Sequence, residues 1–110
     1  MQESAELLLV LVTIDSVFSA EELASTLVSE RLCACVNVIP SVSSIYTWQG
    51  ELRKDMEALM LIKTTSEVYD LLEDKIRALH PYDVPEIIAI RLDRGNESYL
   101  NWVMESVAGD

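Results

Sequence analysis

The stretch CACVNVIPSVSSIYTWQG, residues 33–50, together with the returning segment 52–64, decides the fold. Val36, Val38, Ile39, Val42, Ile45, Tyr46 and Trp48 are strand formers, and they fill a run longer than an ordinary strand. Pro40 has no amide hydrogen to give a ladder, so it marks a bulge or a sheet-edge position. Gln49, Gly50 and Glu51 form a turn, after which Met56, Ala58, Met60 and Ile62 alternate with Glu57, Leu59, Leu61 and Lys63. The pair predicts a long antiparallel hairpin.

On the N-terminal side, residues 5–15 carry a near-continuous apolar run from Leu7 to Ile14, the pattern of a buried central strand. Ser19 and Glu22 have capping-box spacing, and Ala20, Leu23, Ala24, Leu27 and Val28 recur at helical intervals, predicting a helix that ends near Leu32. After the hairpin, Thr64 and Glu67 repeat that spacing ahead of the stripe Val68, Leu71, Leu72, Ile76 and Leu79, and His80-Pro81 ends this second helix. Residues 86–92 read as a fourth strand through Ile87, Ile88 and Ile90. Arg94-Gly95-Asn96 is a turn, and residues 99–107 are a short terminal helix.

The order βαββαβ plus a last helix is the α+β, ferredoxin-like sandwich with an antiparallel sheet, and residues 1–110 form a single domain. Right-handed crossovers place strands one and three at the centre and two and four at the edges. A long edge presenting Tyr46 and Trp48 beside unpaired backbone invites association, so an oligomer is expected.

Half of the residues are hydrophobic, which is the composition of a packed chain. Eight Lys and Arg against nineteen Asp and Glu give a net charge of -11, a field that repels phosphate backbones and anionic lipid, so neither nucleic acid nor membrane is an expected partner. The first apolar run is too short to span a bilayer and follows Glu3 and Glu6 without a basic residue, so no export signal is visible and a cytoplasmic location is expected. Cys33 and Cys35 are two residues apart, about 6.7 Å in an extended chain, too far for a comfortable disulfide.

Glu30-Arg31-Leu32-Cys33-Ala34-Cys35-Val36-Asn37 with Ile39-Pro40, then Ser44-Ile45-Tyr46-Thr47-Trp48-Gln49-Gly50, then His80-Pro81-Tyr82-Asp83-Val84-Pro85-Glu86-Ile87, read in that order, resemble the CutA family of divalent cation tolerance proteins. Lys63-Thr64-Thr65 and Tyr99-Leu100-Asn101-Trp102 fit the same pattern. The resemblance implies a homotrimer similar in plan to the PII signalling proteins, a link to tolerance of divalent cations, copper above all, and no enzymatic activity.

Copper, the cofactor that the resemblance suggests, would take Cys35 and His80, with Cys33 as a weaker third ligand, and thiolate with imidazole suits that metal. Where some copper-binding relatives carry a further cysteine and histidine, this chain has Val12 and Leu79. Cys33 and Cys35 should share one strand face, where two thiolates could hold Cu(I) or two small hydrophobes could fill a core. His80 could equally cap the last carbonyls of its helix. The alternative to metal binding is a PII-like sensor or scaffold that takes a small anionic ligand between subunits, lined by Tyr46, Trp48, Glu57, Lys63, Tyr82 and Glu86. Catalysis lacks a constellation, because Cys35 with His80 is the only nucleophile and base pair and nothing orients it.

Overall fold

The computed structural model describes residues 6–108. The elements are β1 (Leu7–Ile14), α1 (Val17–Ser29), β2 (Cys35–Trp48), β3 (Glu51–Thr65), α2 (Tyr69–Leu79), β4 (Ile87–Arg91) and α3 (Glu97–Ser106). Sheet order is β2-β3-β1-β4 with every neighbouring pair antiparallel, the expected α+β arrangement.

Register assigns the two sheet faces. Val10 pairs with Ile62, Val12 with Met60 and Ile14 with Ala58, and these side chains share a fully buried core with Ala20, Leu23 and Leu27 of α1 and Leu72 and Ile76 of α2. Leu71 and Leu79, expected in the buried stripe of α2, are exposed, because only the Leu72 and Ile76 edge of this short helix meets the sheet. On the opposite face α3 covers one end through Val103 and Val107, packed with Ala34, Val68 and Leu7. The rest of that face is open: Leu9, Leu11, Leu59 and Leu61 are half-buried, and Ile88 and Ile90 are each 49% exposed.

The hairpin follows the sequence pattern closely. Gln49 (φ 51°) and Gly50 (φ 80°) make a two-residue left-handed turn closed by the Trp48–Glu51 pair. Ile39 pairs with Leu59 and Val42 with Glu57, so Pro40 and Ser41 together oppose Ala58 in a bulge on the edge strand. Since β1 ends opposite Ala58, the hairpin beyond the bulge is a two-stranded arm. It stretches the molecule to 51 × 26 × 22 Å.

Both capping boxes are corrected. Ser16 caps α1, its Oγ accepting from the Ser19 amide at 3.0 Å, which starts the helix earlier than the Ser19–Glu22 spacing suggests. Thr64 remains in β3 because it pairs with Leu8, and its Oγ1 donates to the Leu32 carbonyl at 2.7 Å; α2 starts later, with no side-chain cap. Helix α1 also stops short of Leu32. The Arg31 amide donates to Val28 O and the Leu32 amide to Leu27 O, a Schellman closure with Arg31 in the left-handed region at φ 59°. The Arg31 guanidinium donates to the carbonyls of Glu105, Ser106 and Val107, tying the end of α1 to the end of α3.

Candidate functional site at the hairpin base

Three segments converge beside the start of the arm: the end of β1, the arm itself, and the loop from His80 to Glu86 that leads into β4. Alternation and the register Tyr46–Arg53, Ser44–Asp55 and Val42–Glu57 put these residues on one face of the arm. Between this face and the loop lies a cleft of about 750 Å³.

Tyr46, Trp48, Glu57, Tyr82 and Glu86 of the expected ligand set all line this cleft. Lys63 does not. It shares Glu57's face of β3 but lies six residues along the strand, about 20 Å away, where its Nζ donates to Asn37 Oδ1. Thr13, Arg53 and Asp55 also line the cleft and were not legible from local motifs, while Asp83 joins them from within the His80–Glu86 loop. Thr13 belongs to it only because the loop folds over the end of β1, and the β3 residues only because the arm's register turns them inward.

The lining is tied together by hydrogen bonds. The Tyr82 phenol donates to Glu57 Oε2 at 2.8 Å, the Tyr46 phenol donates to Asp55 Oδ2, and Thr13 Oγ1 donates to Glu86 Oε1 at 3.3 Å. Burial, and then the Glu57 carboxylate, raise the Tyr82 phenol above its ordinary value, while the bond to Asp55 does most to raise Tyr46. Within one chain the charged lining is Asp55, Glu57, Asp83 and Glu86 against the single guanidinium of Arg53. That balance is the reverse of what an anionic ligand needs.

His80 is buried beneath the cleft. Its Nδ1 accepts from the Tyr82 amide at 3.1 Å, so Nε2 carries the hydrogen and donates to the Thr13 carbonyl at 2.7 Å. Both ring nitrogens of a neutral imidazole are thus spent on the chain's own backbone. The ring also meets Tyr82 edge-on at 4.7 Å between centroids, holding the loop against β1.

The two cysteines are free and do not share a face, contrary to the strand-parity expectation. Ladder pairing of β2 begins only at Cys35, and the Ala34 amide bonds to Lys63 O, so alternation does not extend back to Cys33. Cys33 packs in the core under α1 and α2, where burial pushes its thiol up to about 12. Cys35 is half-buried opposite Lys63, whose Nζ lies 4.0 Å from its Sγ. Cys35 aligns through Lys63 with Leu9, which lies four residues, about 13 Å, along β1 from the Thr13 carbonyl that His80 holds, so the two side chains belong to different parts of the sheet. A copper site made by Cys35 and His80 of one chain does not fit this geometry, and no cluster of three or more His, Cys, Asp or Glu arranged for a metal occurs among the described residues.

Residues 8–106 match the sequence profile of the CutA1 divalent ion tolerance protein family. The chain belongs to that family. The divalent-cation tolerance protein CutA of Thermus thermophilus is 48% identical over 97 residues, 88% of this chain and 94% of that protein. Human protein CutA is 48% identical over 86 residues, 78% of this chain but 48% of its own length, so the chain spans about half of that relative. The CutA fold recurs in the solved Thermus structure, with a TM-score of 0.90 at 46% identity covering 93% of this chain and 99% of that one. The CutA1 structure from Oryza sativa gives 0.94 at 37%, covering 97% and 98%. One rice CutA relative is named chloroplastic and the Archaeoglobus fulgidus CutA structure is described as periplasmic, so CutA membership fixes no compartment. No described helix is long and apolar enough to cross a membrane.

Proposed function

We propose that this chain serves the metal-ion tolerance response named for its relatives as a cytoplasmic homotrimer that binds a small ligand in the hairpin cleft, without catalysing a reaction. The observation that carries this reading is the convergence of Tyr46, Trp48, Glu57, Tyr82 and Glu86 on one cleft, with neither thiol among its lining residues and its nearest imidazole spent on backbone. Free thiols suit a reducing compartment.

The assembly reading rests on two surfaces that one chain leaves uncovered. The sheet face around Ile88 and Ile90 is apolar, and the arm carries Ile45, Leu52 and Met56 into solvent. Three copies packing these faces together would bury both and enclose each cleft between neighbours. Copper, on this reading, would engage Cys35 with donors from another subunit, because His80 is not free to join it. Native mass spectrometry of the purified protein should show a trimer, and a monomer across micromolar concentrations would overturn the assembly. A Cu(I) competition titration should show weaker binding in Cys35→Ser and unchanged binding in His80→Ala, and unchanged binding in Cys35→Ser would overturn the copper reading.

A further inference from the structure

The geometry points to an aliphatic polyamine, an extended organic cation with several ammonium groups, as the ligand class of the hairpin cleft. This rests on the reading of the cleft as a ligand site and names what it would take. Three observations converge. First, three hydroxyl donors of the wall are already used: both phenols give their hydrogens to carboxylates, Tyr46 to Asp55 and Tyr82 to Glu57, and Thr13 gives its hydrogen to Glu86. Beside the Arg53 guanidinium, the Trp48 indole and the Ser44 hydroxyl, the charged lining offers the four carboxylates of Asp55, Glu57, Asp83 and Glu86, an excess of acceptors that favours a complement bringing several N–H donors.

Second, the acceptors are dispersed along the cleft. Asp55 and Glu57 are successive residues of one face of β3, about 6.7 Å apart, and Glu86 sits across from them on the loop, bonded to Thr13. No three of them are gathered as metal ligands, and a cleft of about 750 Å³ is far larger than a bare ion. A flexible chain with ammonium groups on short methylene spacers matches such spacing, placing one charge at each carboxylate. Third, the walls are aromatic. Trp48, 49% exposed, and Tyr46 both line the cleft, and aromatic rings attract ammonium and pack against methylenes. Arg53, which makes no ion pair among the described residues, is the one cation that a polyamine would have to displace or neighbour.

Isothermal titration calorimetry with spermidine, at near-physiological ionic strength so that diffuse attraction to the acidic surface is screened, tests this. One saturable site per subunit is expected, weakened about tenfold in Glu57→Gln and in Trp48→Ala and unchanged in Glu105→Gln, a charge-matched control on α3. Circular dichroism and native mass spectrometry confirm that the variants fold and assemble. Equal loss in Glu57→Gln and Glu105→Gln with none in Trp48→Ala would mean attraction to net charge alone and overturns the inference, as does full competition by equimolar magnesium chloride. Saturable binding of citrate instead, lost in Trp48→Ala, overturns the polyamine while leaving the cleft a ligand site. Binding of none of these probes overturns both.

Discussion

Tyr82 and Glu57, 25 residues apart in sequence, are joined by a 2.8 Å hydrogen bond that fastens the loop after α2 to the base of the hairpin arm. The bond sits where loop, arm and sheet meet, so it governs the width of the cleft as well as the stability of the loop.

Tyr82→Phe removes that bond and should destabilise the protein by about 1 kcal/mol near neutral pH, since the half-buried Glu57 can be rehydrated. Its alkaline behaviour is the sharper test. The folded phenol titrates above the unfolded value, so its stabilisation is complete below about pH 10 and is lost as pH climbs from there toward the folded value. Urea unfolding should therefore show a shallower alkaline decline for Tyr82→Phe than for the parent. An identical slope would mean that this tyrosine is not the group responding.

Arg31 combines an unfavourable backbone conformation with three side-chain hydrogen bonds, and two substitutions separate these contributions. Arg31→Ala keeps the left-handed backbone and loses the bonds, with an expected cost of about 2–3 kcal/mol. Arg31→Gly loses the same bonds but relieves the backbone, so it should cost about 1 kcal/mol less. Chemical denaturation gives the ordering, and a glycine variant weaker than alanine would contradict it.

Cys33 is 1% exposed with its thiol pushed up to about 12, so it should resist thiol reagents in the native protein at pH 8 and react on unfolding. Mass-resolved labelling assigns the site. Cys33→Ser should cost about 1–3 kcal/mol by placing a hydroxyl among Leu and Ile side chains.

Ile90 lies beside Leu9 on the open sheet face. Ile90→Asp should leave the isolated fold intact while shifting the population to monomer in size-exclusion chromatography with light scattering. An unchanged trimer would place the interface elsewhere.

Strand identities and the hairpin were legible because their signals are long and redundant: a near-continuous apolar run on Leu7–Ile14, alternation around Met60, and Pro40 and Gly50 as punctuation. Helix starts were not. Ser19-x-x-Glu22 and Thr64-x-x-Glu67 are short local spacings, and ladder pairing of Thr64 with Leu8 outweighs any cap its hydroxyl could supply. The end of α1 carried no glycine to announce it, since Arg31 takes a glycine's conformation and anchors it through distant carbonyls.

The site was half legible for a related reason. Aromatic residues and the His80–Glu86 loop stand out in any sequence, but which carboxylates join them depends on register. Strand parity grouped Lys63 with Glu57 correctly as to face, and only the length of β3 separates them. The same parity failed for Cys33, because the ladder starts two residues later.

The Pro40–Ser41 bulge marks a boundary in the chain's cooperativity. On one side β2 and β3 belong to a four-stranded sheet with a dry core, while on the other they have only each other. A two-stranded ribbon in water is marginal by itself. With the proposed trimer covering the arm, its amides beyond Val42 should exchange with solvent at a rate that depends on protein concentration, whereas those of β1 exchange independently of it. In the proposed trimer the hairpin would be an element whose order is supplied by its neighbours, each subunit completing its own secondary structure only in company.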